Sequence, residues 1–106
     1  MKTAEITVNK NLAGYLEEVE PGKKYRIRYI QDYSGPAISL TLPVSAAAYD
    51  YDTFPPFFEG LLPEGIQLEA LLKNKKIDRY DLFQQLITVG HDLVGNVEVV
   101  EAKKAT

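Results

Sequence analysis

The sequence predicts an α+β fold in which an antiparallel sheet or small open barrel of about five strands carries three short helices packed on one side. Two observations indicate this class. Apolar and polar residues alternate in four early segments and one late segment, as they do in half-buried strands. Between these segments lie a proline-rich stretch and two stretches with apolar residues at helical spacing. We expect the 106 residues, 1–106, to form one domain with one core.

The first two strands are predicted from alternation and turn residues. The first runs from Ala4 to Asn9, and the second runs from Leu12 to Glu20 with Gly14 as a candidate bulge. In the turn Glu20–Lys23, Pro21 precedes a glycine, which is the type II arrangement. A meander of antiparallel strands follows from these short connections.

The third strand is predicted over residues 24–30. Tyr25, Ile27 and Tyr29 share one face, and Arg26 and Arg28 share the other. The tyrosines therefore face either the core, which we favour, or a partner.

A fourth strand is predicted over Ala37–Pro43, where Ile38, Leu40 and Leu42 alternate with hydroxyl residues. Val44–Thr53 gives no periodic signal, and we interpret it as a connector with at most one turn of helix.

The central segment Phe54–Gly65 contains three of the six prolines and three of the four phenylalanines. Pro55 and Pro56 suit the first turn of a short helix, because the missing N–H groups have no helical partner there. Gly65 can adopt the positive φ of a tight turn. The segment is predicted to be a rigid apolar corner. It serves either as a core plug between the sheet and the helices or also, together with Ile66, as a partner-binding surface.

Two helices are predicted after the corner. In the first, of about two turns, apolar residues recur at helical spacing. A basic cluster marks its end, where cations favour the helix dipole; a docking site for an acidic partner is the alternative interpretation. The second begins with Asp78 as N-cap and Asp81 three residues later, and Gly90 is its C′ residue. The leucines of the first helix are Leu68, Leu71 and Leu72, and its basic cluster is Lys73, Lys75, Lys76 and Arg79. The predicted buried stripe of the second helix consists of Leu82, Phe83, Leu86 and Ile87.

The last strand, Val97–Val100, follows a turn at Gly95-Asn96 and closes the sheet.

Composition excludes several functions. The chain has no cysteine and one histidine, His91, so disulfides, thiolate zinc sites and two-histidine metal sites are excluded. A net charge of −3 disfavours direct nucleic-acid binding. We find no apolar run of the length of a secretory signal or membrane span, and we expect a cytoplasmic protein with no membrane association.

Catalysis is not expected either. The stretch Gly90–Val97 is similar to a kinase glycine-rich loop but lacks the middle glycine, and no catalytic lysine or aspartate follows it. Asp50 and Asp52 are two positions apart, but nothing else supports a pair of catalytic acids. The sequence therefore predicts no enzyme activity, no catalytic residue, no cofactor and no metal.

Three segments carry a resemblance to a known family. Phe57–Gly65 resembles the FFxxLLPEG segment of the N-terminal subdomain of HipA-type toxin kinases. Ala37–Pro43 resembles the "alSlsLP" segment of that family, and Val89–Val97 resembles its "vGxDxxGav" turn. The segments occur in the same order over about residues 12–100, so the resemblance covers nearly the whole chain.

The resemblance implies a function in a toxin–antitoxin system. In HipA-type kinases this region precedes the catalytic part, packs against it and helps assemble the complex with the DNA-binding HipB antitoxin. A short separate chain is most similar to the HipS-type antitoxins of tripartite HipBST systems. The implied role is a non-catalytic antitoxin that binds and inhibits a HipT/HipA-like Ser/Thr kinase toxin, with a HipB-like protein as a further partner. The alternative is a structural assembly subunit, or an N-terminal fragment of a HipA-type kinase, that mediates complex formation with a HipB-like repressor without inhibiting.

The predicted partner-binding residues are those of the corner. Glu64, Gly65 and Ile66 are predicted to form a wedge that faces the kinase, although many family members have a large aromatic residue at the position of Ile66. The carboxylate of Glu64 is predicted to meet a partner Arg or Lys, or else to accept local backbone N–H groups. The full predicted set is Phe57, Phe58, Leu61, Leu62, Pro63, Glu64, Gly65 and Ile66.

Overall fold

The computed structural model describes residues 2–91, 93 and 96–102. Five strands and three helices occur in the described part of the chain. In chain order they are β1 (Lys2–Val8), β2 (Asn11–Glu20), β3 (Lys24–Tyr29), β4 (Ala48–Tyr51), α1 (Pro56–Glu59), α2 (Gly65–Lys75), α3 (Leu82–Val89) and β5 (Val97–Glu101).

The strands form one open antiparallel sheet in the order β4-β3-β2-β1-β5. Strand β1 lies inside the sheet, and β5 pairs with it at one edge so that Ile6 lies opposite Val99. A register shift between Ile6 and Thr7, opposite Gly14, confirms the predicted bulge. The predicted α+β class is confirmed, with the sheet open rather than closed into a barrel.

The core lies between the inner face of the sheet and the helices. Ile6, Leu16 and Ile27 are fully buried on the central strands, and Phe58 and Phe83 cover them from α1 and α3. Burying each such side chain stabilises the fold by about 1.5–3 kcal/mol relative to exposing it. The tyrosines of β3 are also buried, which confirms their predicted place in the core: Tyr25 and Tyr29.

The predicted fourth strand is wrong. Residues 37–43 form a loop in which Ile38 and Leu42 are buried while Leu40, which a strand would place on their face, is 99% exposed. The buried hydroxyl of Tyr29 holds this loop: it accepts the backbone N–H of Ile38 at 3.0 Å and donates to the carbonyl of Leu42. Satisfying these backbone groups through one side chain replaces the hydrogen bonds of a strand.

The fourth strand is instead β4, in the segment interpreted as a connector. It pairs with β3 at the sheet edge, with Tyr49 opposite Ile27 and Tyr51 opposite Tyr25. The hydroxyl of Tyr49 donates to the carbonyl of Pro43 at 2.5 Å, so β4 also supports the preceding loop.

The ends of α3 differ from the prediction. Asp81, not Asp78, is the N-cap and accepts the Gln84 N–H at 3.1 Å, whereas Asp78 accepts the Tyr80 N–H in the preceding turn. Gly90 is the C-cap with φ of −59°, so its assignment as C′ is wrong. A Cβ at Gly90 would lie 1.6 Å from the Val99 carbonyl oxygen, and glycine is therefore required for the close approach of α3 to β5.

Helix α2 is longer than predicted. It spans eleven residues and begins at Gly65, whose φ of +60° confirms the predicted positive φ. It ends within the basic cluster, as predicted, with Lys76 as a left-handed C-cap. The turn at Gly95-Asn96 lies partly outside the described residues. Among the described helices, none is long and apolar enough to cross a membrane.

Candidate partner-binding surface

The corner before α2 is a continuous series of tight turns. The Pro55 carbonyl accepts the N–H groups of Phe58 and Glu59 at 3.1 and 3.0 Å, which begins α1. The Leu61 and Leu62 N–H groups then donate to carbonyls three residues earlier, at 3.0 and 3.2 Å. Proline at two of the first positions fixes φ, so little backbone freedom remains in this segment.

The structure divides the eight predicted partner-binding residues into three groups. Phe58 is 0% exposed and supports the corner from the core, and the half-buried Phe57 packs its ring against it at 5.1 Å between centroids. Three residues are half-buried along the corner: Leu61, Leu62 and Pro63. The other three are exposed: Glu64, Gly65 and Ile66, of which Ile66 is 88% exposed.

Residues 60–64 form a ridge between two surface grooves, and we call them the corner ridge. The first groove, of about 560 Å³, lies between the ridge and Val89, and Leu61 and Gln67 also line it. The second, of about 390 Å³, lies between the ridge and Leu82, and we call it the Leu82 groove. Four residues of the ridge face both grooves: Gly60, Leu62, Pro63 and Glu64.

Helix α2 is loosely covered by the rest of the chain. Its leucines, which the sequence placed at helical spacing, are half-buried, and every residue of the helix keeps part of its surface exposed. The helical spacing identified the apolar face correctly, but spacing gives no measure of how much of that face the rest of the chain covers. Ile66, at the start of α2, adds an exposed apolar side chain on the helix face opposite these leucines.

Two charged residues near the corner ridge differ in their contacts within the molecule. Arg79 donates to Glu69 at 2.5 Å, so this member of the basic cluster has a partner within the molecule. Glu64 is the N-cap of α2 but makes no capping hydrogen bond with its side chain in the described structure. The predicted alternative, in which the Glu64 carboxylate accepts local backbone N–H groups, therefore gains no support from the cap of α2. Its exposed carboxylate faces solvent at the positive end of the α2 dipole.

Charged residues elsewhere pair within the sheet. Arg26 contacts Asp50 at 2.6 Å on the outer face, so Asp50 is an ion-pair partner within the sheet. His91 lies with Nδ1 3.6 Å from a carboxylate oxygen of Glu98. Among the described residues, no group of three or more His, Asp or Glu side chains is placed to hold a metal ion.

A cavity of about 340 Å³ that the sequence did not predict lies where the turn before α3 meets β2 and β3. Tyr80, 87% exposed, lines it together with Asp78 and Asp81. At its base the Tyr25 hydroxyl donates to a buried carboxylate oxygen of Glu18 at 3.2 Å. Burial, and then the negative charge of Glu18, raise the pKa of Tyr25 to about 12.

This raised pKa predicts an alkaline loss of stability. In the unfolded chain a tyrosine ionises near pH 10, whereas folded Tyr25 stays protonated up to about pH 12. Since the unfolded state then binds fewer protons, the free energy of unfolding falls as pH rises from 10 to 12. In urea denaturation, we expect the free energy of unfolding of Tyr25→Phe to fall less between pH 10 and 12 than that of the unmodified chain. Equal slopes in the unmodified chain and in Tyr25→Phe would contradict the assignment.

Two comparisons with known proteins name the same family. The family model described as HipA N-terminal domain matches residues 4–100. A solved structure, the N-terminal domain of HipA toxin, superposes with a TM-score of 0.75 at 26% identity, covering 99% of this chain and 96% of that chain. An uncharacterized protein from Haemophilus influenzae is 28% identical over 104 residues, which is 98% of this chain and 96% of the relative.

Proposed function

Because the chain belongs to the HipA N-terminal domain family, we propose that it is a non-catalytic antitoxin that binds and inhibits a HipT/HipA-like Ser/Thr kinase in the cytoplasm. The observation that carries this proposal is the 88% exposed Ile66 at the end of a rigid ridge. A large apolar side chain in this position supports a contact with another protein.

The geometry of the corner ridge favours inhibition by a wedge. Phe58 anchors the ridge in the core, and the prolines restrict its backbone, so binding orders little additional chain. Ile66 and the exposed Glu64 project beyond it as an apolar and a charged contact. A wedge inhibits when it fits the inactive kinase better than the active one, because only that difference shifts the kinase between its states.

One observation favours a second candidate function. This chain matches 96% of a solved HipA N-terminal domain. That domain is described as part of a toxin. The alternative is therefore a structural assembly subunit, or an N-terminal fragment of a HipA-type kinase, that links the kinase to a HipB-like repressor without inhibiting it.

Co-expression separates the two functions. A HipA-type Ser/Thr kinase is expressed alone, with this chain, and with this chain plus a HipB-like protein. An antitoxin restores growth when it is added alone to the kinase, and it lowers kinase autophosphorylation in vitro. An assembly subunit leaves growth arrested until the HipB-like protein is added. Failure of this chain to bind the kinase would contradict both.

A further inference from the structure

The Leu82 groove combines an apolar lining with a charged rim. Leu62, Leu68 and Leu82, all half-buried, line it together with Pro56 and Pro63. The volume of about 390 Å³ is large enough for several side chains of a bound segment. Half-buried leucines around one groove gain free energy when a second apolar surface covers them.

The rim of this groove is negatively charged. Glu59 and Glu64 both line it, both are exposed, and none of the ion pairs within the described part of the chain includes either of them. The cation of the groove, Arg79, is paired with Glu69 at 2.5 Å. The groove therefore presents two carboxylates that lack a cationic partner among the described residues.

We propose that the Leu82 groove binds a basic amphipathic segment of the partner kinase, an inference that rests on the proposed function. Apolar side chains of the segment cover the three leucines, and its Arg or Lys groups pair with Glu59 and Glu64. Long basic side chains suit such a rim, because their aliphatic stems lie along apolar surface while the charged ends reach the carboxylates. Opposite charge also speeds association and selects against acidic segments.

The groove extends the contact made by Ile66. Glu64 lies at the junction, since it lines the Leu82 groove and immediately precedes Gly65 and Ile66. A kinase that receives Ile66 beyond the end of the ridge brings a neighbouring segment within reach of the groove. The two contacts share Glu64, but Ile66 belongs to the wedge alone and Glu59 lines the Leu82 groove, so they are separable through these two residues.

The test uses two variants, each of which replaces two exposed glutamates with glutamine and so removes two negative charges. Glu59→Gln/Glu64→Gln removes the rim charges, and Glu20→Gln/Glu101→Gln removes the same charge from exposed strand ends. The probe is a labelled helical peptide with leucines at i and i+4 and arginines between them, compared with the same peptide carrying glutamates. Fluorescence anisotropy gives Kd at low and high salt.

We expect the arginine peptide to bind the unmodified chain, more weakly at high salt, and the glutamate peptide to bind much less. The rim variant is expected to weaken binding by about three- to tenfold, as exposed ion pairs typically do, and the control to leave it unchanged. The rim variant is also expected to lose affinity for the partner kinase. Equal binding of the two peptides, or of the two variants, overturns the inference while inhibition through Ile66 stands.

Two further outcomes are distinguishable. If the chain fails to bind the kinase but still binds the arginine peptide through the rim, the proposed function fails and the groove loses its kinase partner, which overturns the inference as stated. If analytical ultracentrifugation shows that the rim variant dissociates a dimer of the unmodified chain, the occupant is a second copy, and the inference is again overturned.

Discussion

Ile66→Asp is expected to abolish kinase inhibition while leaving the stability of the isolated chain unchanged. Ile66 is 88% exposed, so a carboxylate there displaces no core contact and stays hydrated. In the complex the same carboxylate would enter an apolar contact, where a central anchor is typically worth about 2–4 kcal/mol. The loss corresponds to roughly a 30- to 1000-fold rise in the inhibition constant. Kinase assays and thermal melts of the same samples measure both effects.

The matched control is Leu40→Asp. Leu40 is 99% exposed on the loop between β3 and β4, so the change in hydrophobicity and charge is similar but falls outside the corner ridge. We expect Leu40→Asp to inhibit the kinase to the same extent as the unmodified chain does. If Ile66→Asp inhibits the kinase as strongly as the unmodified chain, the proposed wedge is wrong. If both variants lose the same amount of inhibition, the effect is a general one of charge.

Phe58→Ala is expected to have the largest effect on stability. Phe58 is 0% exposed and contacts Phe57 edge to face, so its removal leaves a cavity under the corner ridge. Truncating a buried phenylalanine costs about 3–5 kcal/mol, a large share of the total stability of a small domain. Urea denaturation measures the loss. The variant then loses kinase inhibition because the ridge is no longer held in place.

Phe57→Ala is the comparison for this prediction. Phe57 is half-buried, so we expect a clearly smaller loss of stability than at Phe58. If Phe58→Ala lowers the free energy of unfolding no more than a surface substitution does, the ridge is not anchored in the core. A larger loss for Phe57→Ala than for Phe58→Ala would reverse their assigned positions.

The elements that the sequence predicted best are those specified by local pattern. Strands β1 and β3 alternate over six residues or more, and short turns join β2 to both of them, so all three strands lie close to where the sequence places them. The corner helix begins at the prolines, as expected from their missing N–H groups. In these segments local preference and tertiary environment agree.

The wrong predictions arise where a distant side chain decides the local structure. Ile38, Leu40 and Leu42 alternate as strand residues do, but the hydroxyl of Tyr29 supplies the hydrogen bonds of this loop instead. Strand β4 has four residues and lies at an edge, so it offers too short a pattern to be recognised before its partner is known. The choice of Asp81 over Asp78 as N-cap likewise depended on where α3 packs.

The candidate site was predicted as a segment but not as a surface. Phe57 and Phe58 are chemically identical neighbours, and only the phase of α1 relative to the sheet buries one and half-exposes the other. The two grooves were not predictable, because each is bounded by α3, which lies some twenty residues further along the chain. The exposure of Ile66 follows from the loose covering of α2.

The order of the strands has a consequence for synthesis on the ribosome. Strand β1 is made first, yet one of its two neighbours, β5, emerges nearly a chain length later. Until then the nascent polypeptide carries the β1 edge unpaired, a template for pairing with other chains. Closure of the sheet must therefore be a late event. A ribosome that stalls before residue 97 leaves a product that is exposed to proteases and aggregation.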